Sequence, residues 1–115
     1  MSKVKISTII YRDDEQFLNN CVGLKQKNKI IFFEKDIKNE ITIDKDLILN
    51  RENSEFKMSL IFRLNENTKN SYLLKELNNE FLINIKTTRL DILENKIEVE
   101  YMQDLEKVFY RLEWK

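Results

Sequence analysis

The stretch from Lys96 to Glu113 can pair with itself in one register only, and that restricts the chain more than any other feature. With a turn at Asp104 and Leu105, Tyr101 meets Val108, Val99 meets Tyr110 and Ile97 meets Leu112. The opposite face then sets Glu98 against Arg111 and Lys96 against Glu113. One face is apolar and the other carries complementary charges. A slip of one residue would exchange the faces and destroy both sets of pairs. The spacing predicts an antiparallel hairpin whose cross-strand pairs each add roughly 0.2–1 kcal/mol.

The same period of two recurs upstream. Phe56, Met58, Leu60, Phe62 and Leu64 alternate with Lys57, Ser59, Ile61 and Arg63. A helical template begun at Phe56 would place Ser59 and Arg63 on the apolar face, so a strand fits better. A three-residue loop, Glu66-Asn67-Thr68, then leads into a strand from Lys69 to Lys75. That loop would set Phe62 opposite Tyr72 and Leu60 opposite Leu74, with Asn67 taking the left-handed conformation. Val4, Ile6, Thr8 and Ile10 alternate with polar residues. Phe17 to Lys25 and Lys29 to Lys35 flank Lys27-Asn28, a two-residue turn that puts Gly23 opposite Phe32 and leaves room for the ring. Ile41-Ile43, Leu47-Leu49, Phe81-Ile85 and Leu90-Ile92 complete the set, and Leu73 to Phe81 also admits a short amphipathic helix. Hairpin-length links between neighbours predict a meander.

Composition supports this. Ala, the best helix former, is absent, as are Pro and His, and there is one Gly. Lys plus Arg and Asp plus Glu stand at 20 each, which supplies no long-range attraction to nucleic acid or anionic lipid. Cys21 is the lone cysteine, so an internal disulfide is excluded. Charge is mixed into the first apolar residues after Met1, unlike a signal peptide. No apolar run approaches the ~20 residues of a membrane helix. These features point to a reducing cytoplasm.

Several strings are characteristic as strings. They are Lys29-Ile30-Ile31-Phe32-Phe33-Glu34; Ile41-Thr42-Ile43 leading to Leu47-Ile48-Leu49-Asn50-Arg51; and Met58-Ser59-Leu60-Ile61-Phe62. Ile85-Lys86-Thr87-Thr88-Arg89-Leu90-Asp91-Ile92 and Lys96-Ile97-Glu98-Val99-Glu100-Tyr101 follow. In this order they resemble the YwiB-like family of small bacterial proteins with a calycin-like (lipocalin-like) β-barrel. The chain departs from that pattern at Glu76-Leu77-Asn78-Asn79, where relatives often carry a Pro- and Gly-containing turn. The resemblance implies a fold and no activity, since none is established for that family. Its calycin likeness implies a barrel able to hold a small apolar ligand.

The residues offer little for catalysis. Without His, Ser-His and Cys-His mechanisms are excluded. Cys21 reads as a small packing residue. Asp13-Asp14-Glu15 and Asp44-Lys45-Asp46 read as solvated turns, because neither has the ligand spacing and Gly of a calcium loop. Glu98 and Glu100 share a strand face, but Glu98 meets Arg111 there, so a charged outer face outweighs a glycosidase pair. One Gly rules out a glycine-rich phosphate loop. Phe109 shares a face with Lys107 and Arg111 and reads as an exposed anchor.

The whole chain, residues 1–115, therefore reads as one all-β domain: an antiparallel up-and-down (meander) calycin-like β-barrel of about 8–10 strands. Phe56, Met58, Leu60 and Ile83 are expected in the lumen. The ligand-facing set is expected to be Phe62, Tyr72, Ile85, Thr87, Arg89, Val99, Tyr101 and Tyr110, with Arg89 continuing the phase of Thr87. The expected partner is a small apolar or amphipathic molecule, with no catalytic residue, cofactor, metal, nucleic acid or membrane. A monomer or homodimer is expected. The rival reading is a non-enzymatic protein-interaction module with a filled barrel and an apolar patch near Phe109 or Ile61.

Overall fold

A computed structural model of the chain describes residues 2–115. Ten strands follow one another: β1 (Ser2–Arg12), β2 (Glu15–Lys25), β3 (Lys29–Glu34), β4 (Ile37–Ile43), β5 (Leu47–Glu52), β6 (Phe56–Phe62), β7 (Asn67–Leu74), β8 (Asn79–Ile92), β9 (Lys96–Gln103) and β10 (Glu106–Trp114). Each pairs antiparallel with its sequence neighbours, and β10 pairs with β1, closing the barrel. Closure pairs the two end strands and so removes most of the exposed edge of a meander, although β2 meets β3 only at Leu24 and Lys25. The 73–81 segment is the end of β7, a turn and the start of β8, and no helix occurs among the described residues. Accordingly, no helix is long and apolar enough to cross a membrane.

The C-terminal hairpin has the expected register, Tyr101 to Val108 through Ile97 to Leu112, with Glu98 opposite Arg111 outside. The β2–β3 hairpin also turns at Lys27-Asn28, pairing Leu24 with Ile31 and Lys25 with Ile30. Gly23 lies against Phe32 as the register requires: a Cβ there would stand 3.1 Å from the Phe32 Cβ and 2.7 Å from the Ile31 carbonyl oxygen.

Two expectations fail. The β6–β7 register pairs Phe56 with Leu74 and Met58 with Tyr72, so Phe62 and Leu60 do not meet Tyr72 and Leu74. Tyr72 stacks on Phe56 instead, ring centroids 5.5 Å apart and 6° from parallel. The ladder stops at Ser59 and Ser71, and side chains take over. The Ile61 N–H donates to Asn70 Oδ1 at 2.7 Å, and the Thr68 hydroxyl donates to the Ile61 carbonyl at 2.7 Å. Asn70 Nδ2 donates onward to the Ile83 carbonyl of β8 at 3.3 Å. Asn65 (φ 63°), not Asn67, takes the left-handed conformation.

The second correction is Arg89. Thr87 faces Tyr101, but the next pair is Arg89 with Glu100, so Thr88 is an extra residue in β8. Such a bulge reverses the alternation. Arg89 therefore points outside the barrel, where its Nε lies 2.6 Å from Asp91 and its Nη2 3.4 Å from Glu98. Outside placement spares a guanidinium the cost of burial.

Left-handed residues close the other turns: Asp13 (φ 54°), Asn78 (φ 50°) and Asp104 (φ 56°) are types that tolerate this conformation. Lys35 (φ 55°) is not. Lys35→Gly is expected to raise stability by about 0.5 kcal/mol, because relief of roughly 1–2 kcal/mol of strain exceeds the added chain entropy. An unchanged or lower urea midpoint would show that the β3–β4 turn carries no such strain.

Candidate ligand-binding site at the barrel mouth

Each inward-facing row can be followed from one barrel end to the other. In β1 it runs Ile6, Thr8, Ile10, Arg12; in β3, Ile30, Phe32, Glu34; in β5, Leu47, Leu49, Arg51. In β4 Ile41 gives way to Asn39, which faces Arg51 across the ladder. The rows are apolar at the end holding Trp114 and polar at the end where the β1–β2, β3–β4, β5–β6 and β9–β10 turns lie. The apolar half is solid: Phe62 and Ile85 are each 1% exposed, Val99 is fully buried, and Phe62 tilts against Tyr101 with centroids 5.1 Å apart. The polar half holds a cavity of about 160 Å³, partly open at the mouth. Its walls are Ile10, Phe17, Leu49 and Met58, with Arg12, Glu34, Asn39, Arg51, Tyr101 and Tyr110 supplying the polar groups.

Arg51 Nε donates to Asn39 Oδ1 at 3.0 Å, and Arg51 Nη2 lies 3.7 Å from Glu34 Oε1. Arg12 Nε pairs with Glu106 at 2.8 Å on the rim. The Tyr110 hydroxyl is buried with no hydrogen-bond partner among the described residues. Burial pushes its pKa far up, with the Glu34 charge adding to the rise and Arg51 opposing it. Burial also raises the Tyr101 pKa, against the pull of Arg12 beside it. Both phenols are therefore held as O–H donors at any ordinary pH.

Of the residues expected to face a ligand, Tyr101 and Tyr110 line this cavity, as does Met58 from the wider lumen set. Phe62, Ile85 and Val99 belong to the solid core. Thr87 is fully buried with its hydroxyl unpartnered, away from the cavity walls. Tyr72 is taken up by its stack on Phe56. Arg89 is outside, its guanidinium 5.8 Å from the Phe109 ring. Phe109 is half-buried with its ring 6.0 Å from that of the exposed Tyr11, and Ile61 is half-buried. Exposed apolar residues include Leu18 at 65%, Val22 at 64% and Phe33 at 54% on β2 and β3, and also Leu82 on β8 and Leu105 in the β9–β10 turn.

Sequence reasoning missed Arg12, Glu34, Asn39 and Arg51. The signal was there: Arg12, Glu34 and Arg51 each continue an apolar alternation to its last in-phase position, and Asn39 lies in phase between Ile37 and Ile41, so all four point inward. Broader hollows of about 540 and 550 Å³ lie open on the surface around the chain ends and are not enclosed. Cys21 packs on the core, and burial raises its pKa, so it is not an activated thiol.

No family model and no curated protein matches the chain. Among solved structures, the crystal structure of the YwiB protein from Bacillus subtilis is similar over 98% of this chain and 89% of that one, with a TM-score of 0.66 and 16% identity. At this identity the likeness concerns architecture. The chain thus has a YwiB-like fold, built as a closed ten-stranded antiparallel meander.

Proposed function

We propose that this protein is a cytoplasmic, calycin-like barrel that binds a small, partly apolar molecule in its mouth and performs no chemistry on it. The observation carrying this reading is the half-filled lumen. The apolar rows pack solidly at one end, yet at the other a cavity of about 160 Å³ is left beside a buried tyrosine hydroxyl with no partner among the described residues. A polar group left so costs about 1–3 kcal/mol, which a ligand acceptor would recover. A cavity of about 150 Å³ takes a benzene-sized molecule. Native mass spectrometry of protein purified gently from its own host should therefore show an adduct of that size class, lost on denaturation. A bare native mass would overturn the reading.

A second reading, the interaction module, is favoured by β2. This strand pairs with β3 only through Leu24 and Lys25, so Glu15–Val22 has no ladder on that side among the described residues. A second copy is the fitting occupant, because β2 laid antiparallel on itself about Asn20 would bring Leu18 against Val22 of the second copy. Sedimentation at micromolar concentration should then give a dimer that Leu18→Lys dissolves, and a monomer at all concentrations would remove this reading.

A further inference from the structure

We infer that the ligand of the mouth cavity is a small zwitterion of the amino-acid class with an aliphatic side chain. This rests on the proposed binding function and names the chemistry of that same site.

The formal charges decide between ligand classes. Arg51 and Glu34 line the cavity, each with only 23% of its side chain exposed. Arg12 lines it too and is matched by Glu106 at the rim. Two cations and two anions leave no net charge, so a simple anion or cation would meet one attractive and one repulsive pole. Arg51 and Glu34 form a long ion pair: 3.7 Å is within ion-pair range but beyond hydrogen-bonding distance. The Nε edge of Arg51 is used by Asn39, while its Nη edge and the Glu34 carboxylate make no side-chain hydrogen bond among the described residues.

A pair of partly buried opposite charges, held as an ion pair but not hydrogen-bonded to each other, is the complement of a molecule bearing both charges on adjacent carbons. Its carboxylate fits the fork of Arg51 and its ammonium fits Glu34, head to tail. The Tyr110 hydroxyl, a buried donor without an acceptor, would serve the remaining carboxylate oxygen. Leu49, Met58 and Ile10 supply the apolar floor for a side chain. The volume of about 160 Å³ limits that side chain to a few carbons.

Three probes share one branched tail and differ in charge: L-leucine, 4-methylpentanoate, which lacks the ammonium, and 3-methylbutylamine, which lacks the carboxylate. Titration calorimetry with the full chain should show leucine binding about tenfold or more tighter than either analogue. Arg51→Met should erase the advantage of leucine over the amine, and Glu34→Gln its advantage over the acid, with thermal melting confirming that both variants fold. The comparison among probes on the unaltered protein stands even if a variant does not. Equal or tighter binding of 4-methylpentanoate or of the amine would overturn the zwitterion while leaving a binding barrel. No binding of any probe, with a native adduct of other chemistry, would do the same. No binding and a bare native mass would overturn both.

Discussion

Gly23→Val is expected to destabilise the barrel by about 3 kcal/mol, the upper range for forcing extra methyl groups into a packed site. The Cβ itself would collide with Ile6 Cδ1, the end of a side chain that can turn away. The other contact cannot yield so easily. The Ile31 carbonyl oxygen at 2.7 Å is backbone, in a residue already paired with Leu24. Because β2 and β3 pair through only two residue pairs, moving Ile31 loosens the weakest seam in the barrel. For a domain of this size the loss corresponds to a fall in Tm of roughly 10–15 °C. Gly23→Ala should show a smaller fall in the same direction. An unchanged Tm for the valine variant would mean that the seam opens at little cost and that Gly23 is not the residue closing it.

Asn70→Leu is expected to cost a similar amount, about 3 kcal/mol, by a different route. Leucine keeps the branched side-chain shape but removes the acceptor of the Ile61 N–H and the donor to the Ile83 carbonyl. Asn70 is only 4% exposed, so water does not readily replace it. A buried backbone group left unmade costs about 1–3 kcal/mol, and the lost bonds of the amide add to that. Amide exchange should report the site: the Ile61 N–H should exchange much faster in the variant, while Val99 and Leu112, in the C-terminal hairpin, should change little. Thr68→Val removes the donation to the Ile61 carbonyl and the hydroxyl that accepts from Asn70 Nδ2, and should cost about 1 kcal/mol, since Asn70 Nδ2 keeps its other acceptors. If Asn70→Leu were neutral, the β6–β7 gap would be closed by something other than this side chain.

The elements that could be read from residue order are those whose register is stated twice. In the β9–β10 hairpin the apolar face and the charged face demand the same pairing, and in β2–β3 the short turn and Gly23 opposite Phe32 do so. Period two, the missing Ala and the short links also determined the all-β meander, because each is a local property of the chain. Three things were left to the tertiary structure. The β6–β7 register depends on Asn70 and Thr68 replacing ladder bonds with side-chain bonds, an exchange that costs little in hydrogen bonding and leaves no mark on hydrophobic pattern. The outward turn of Arg89 depends on Thr88 being one residue too many against β9, which only the partner strand can reveal. The cavity depends on closure: Arg12, Glu34, Asn39 and Arg51 come from four different strands, and each looks like an isolated polar residue in its strand until β10 joins β1 and turns all four toward one space. Alternation along a strand says which way a side chain points, but what it points at is set by strands brought in from elsewhere in the sequence.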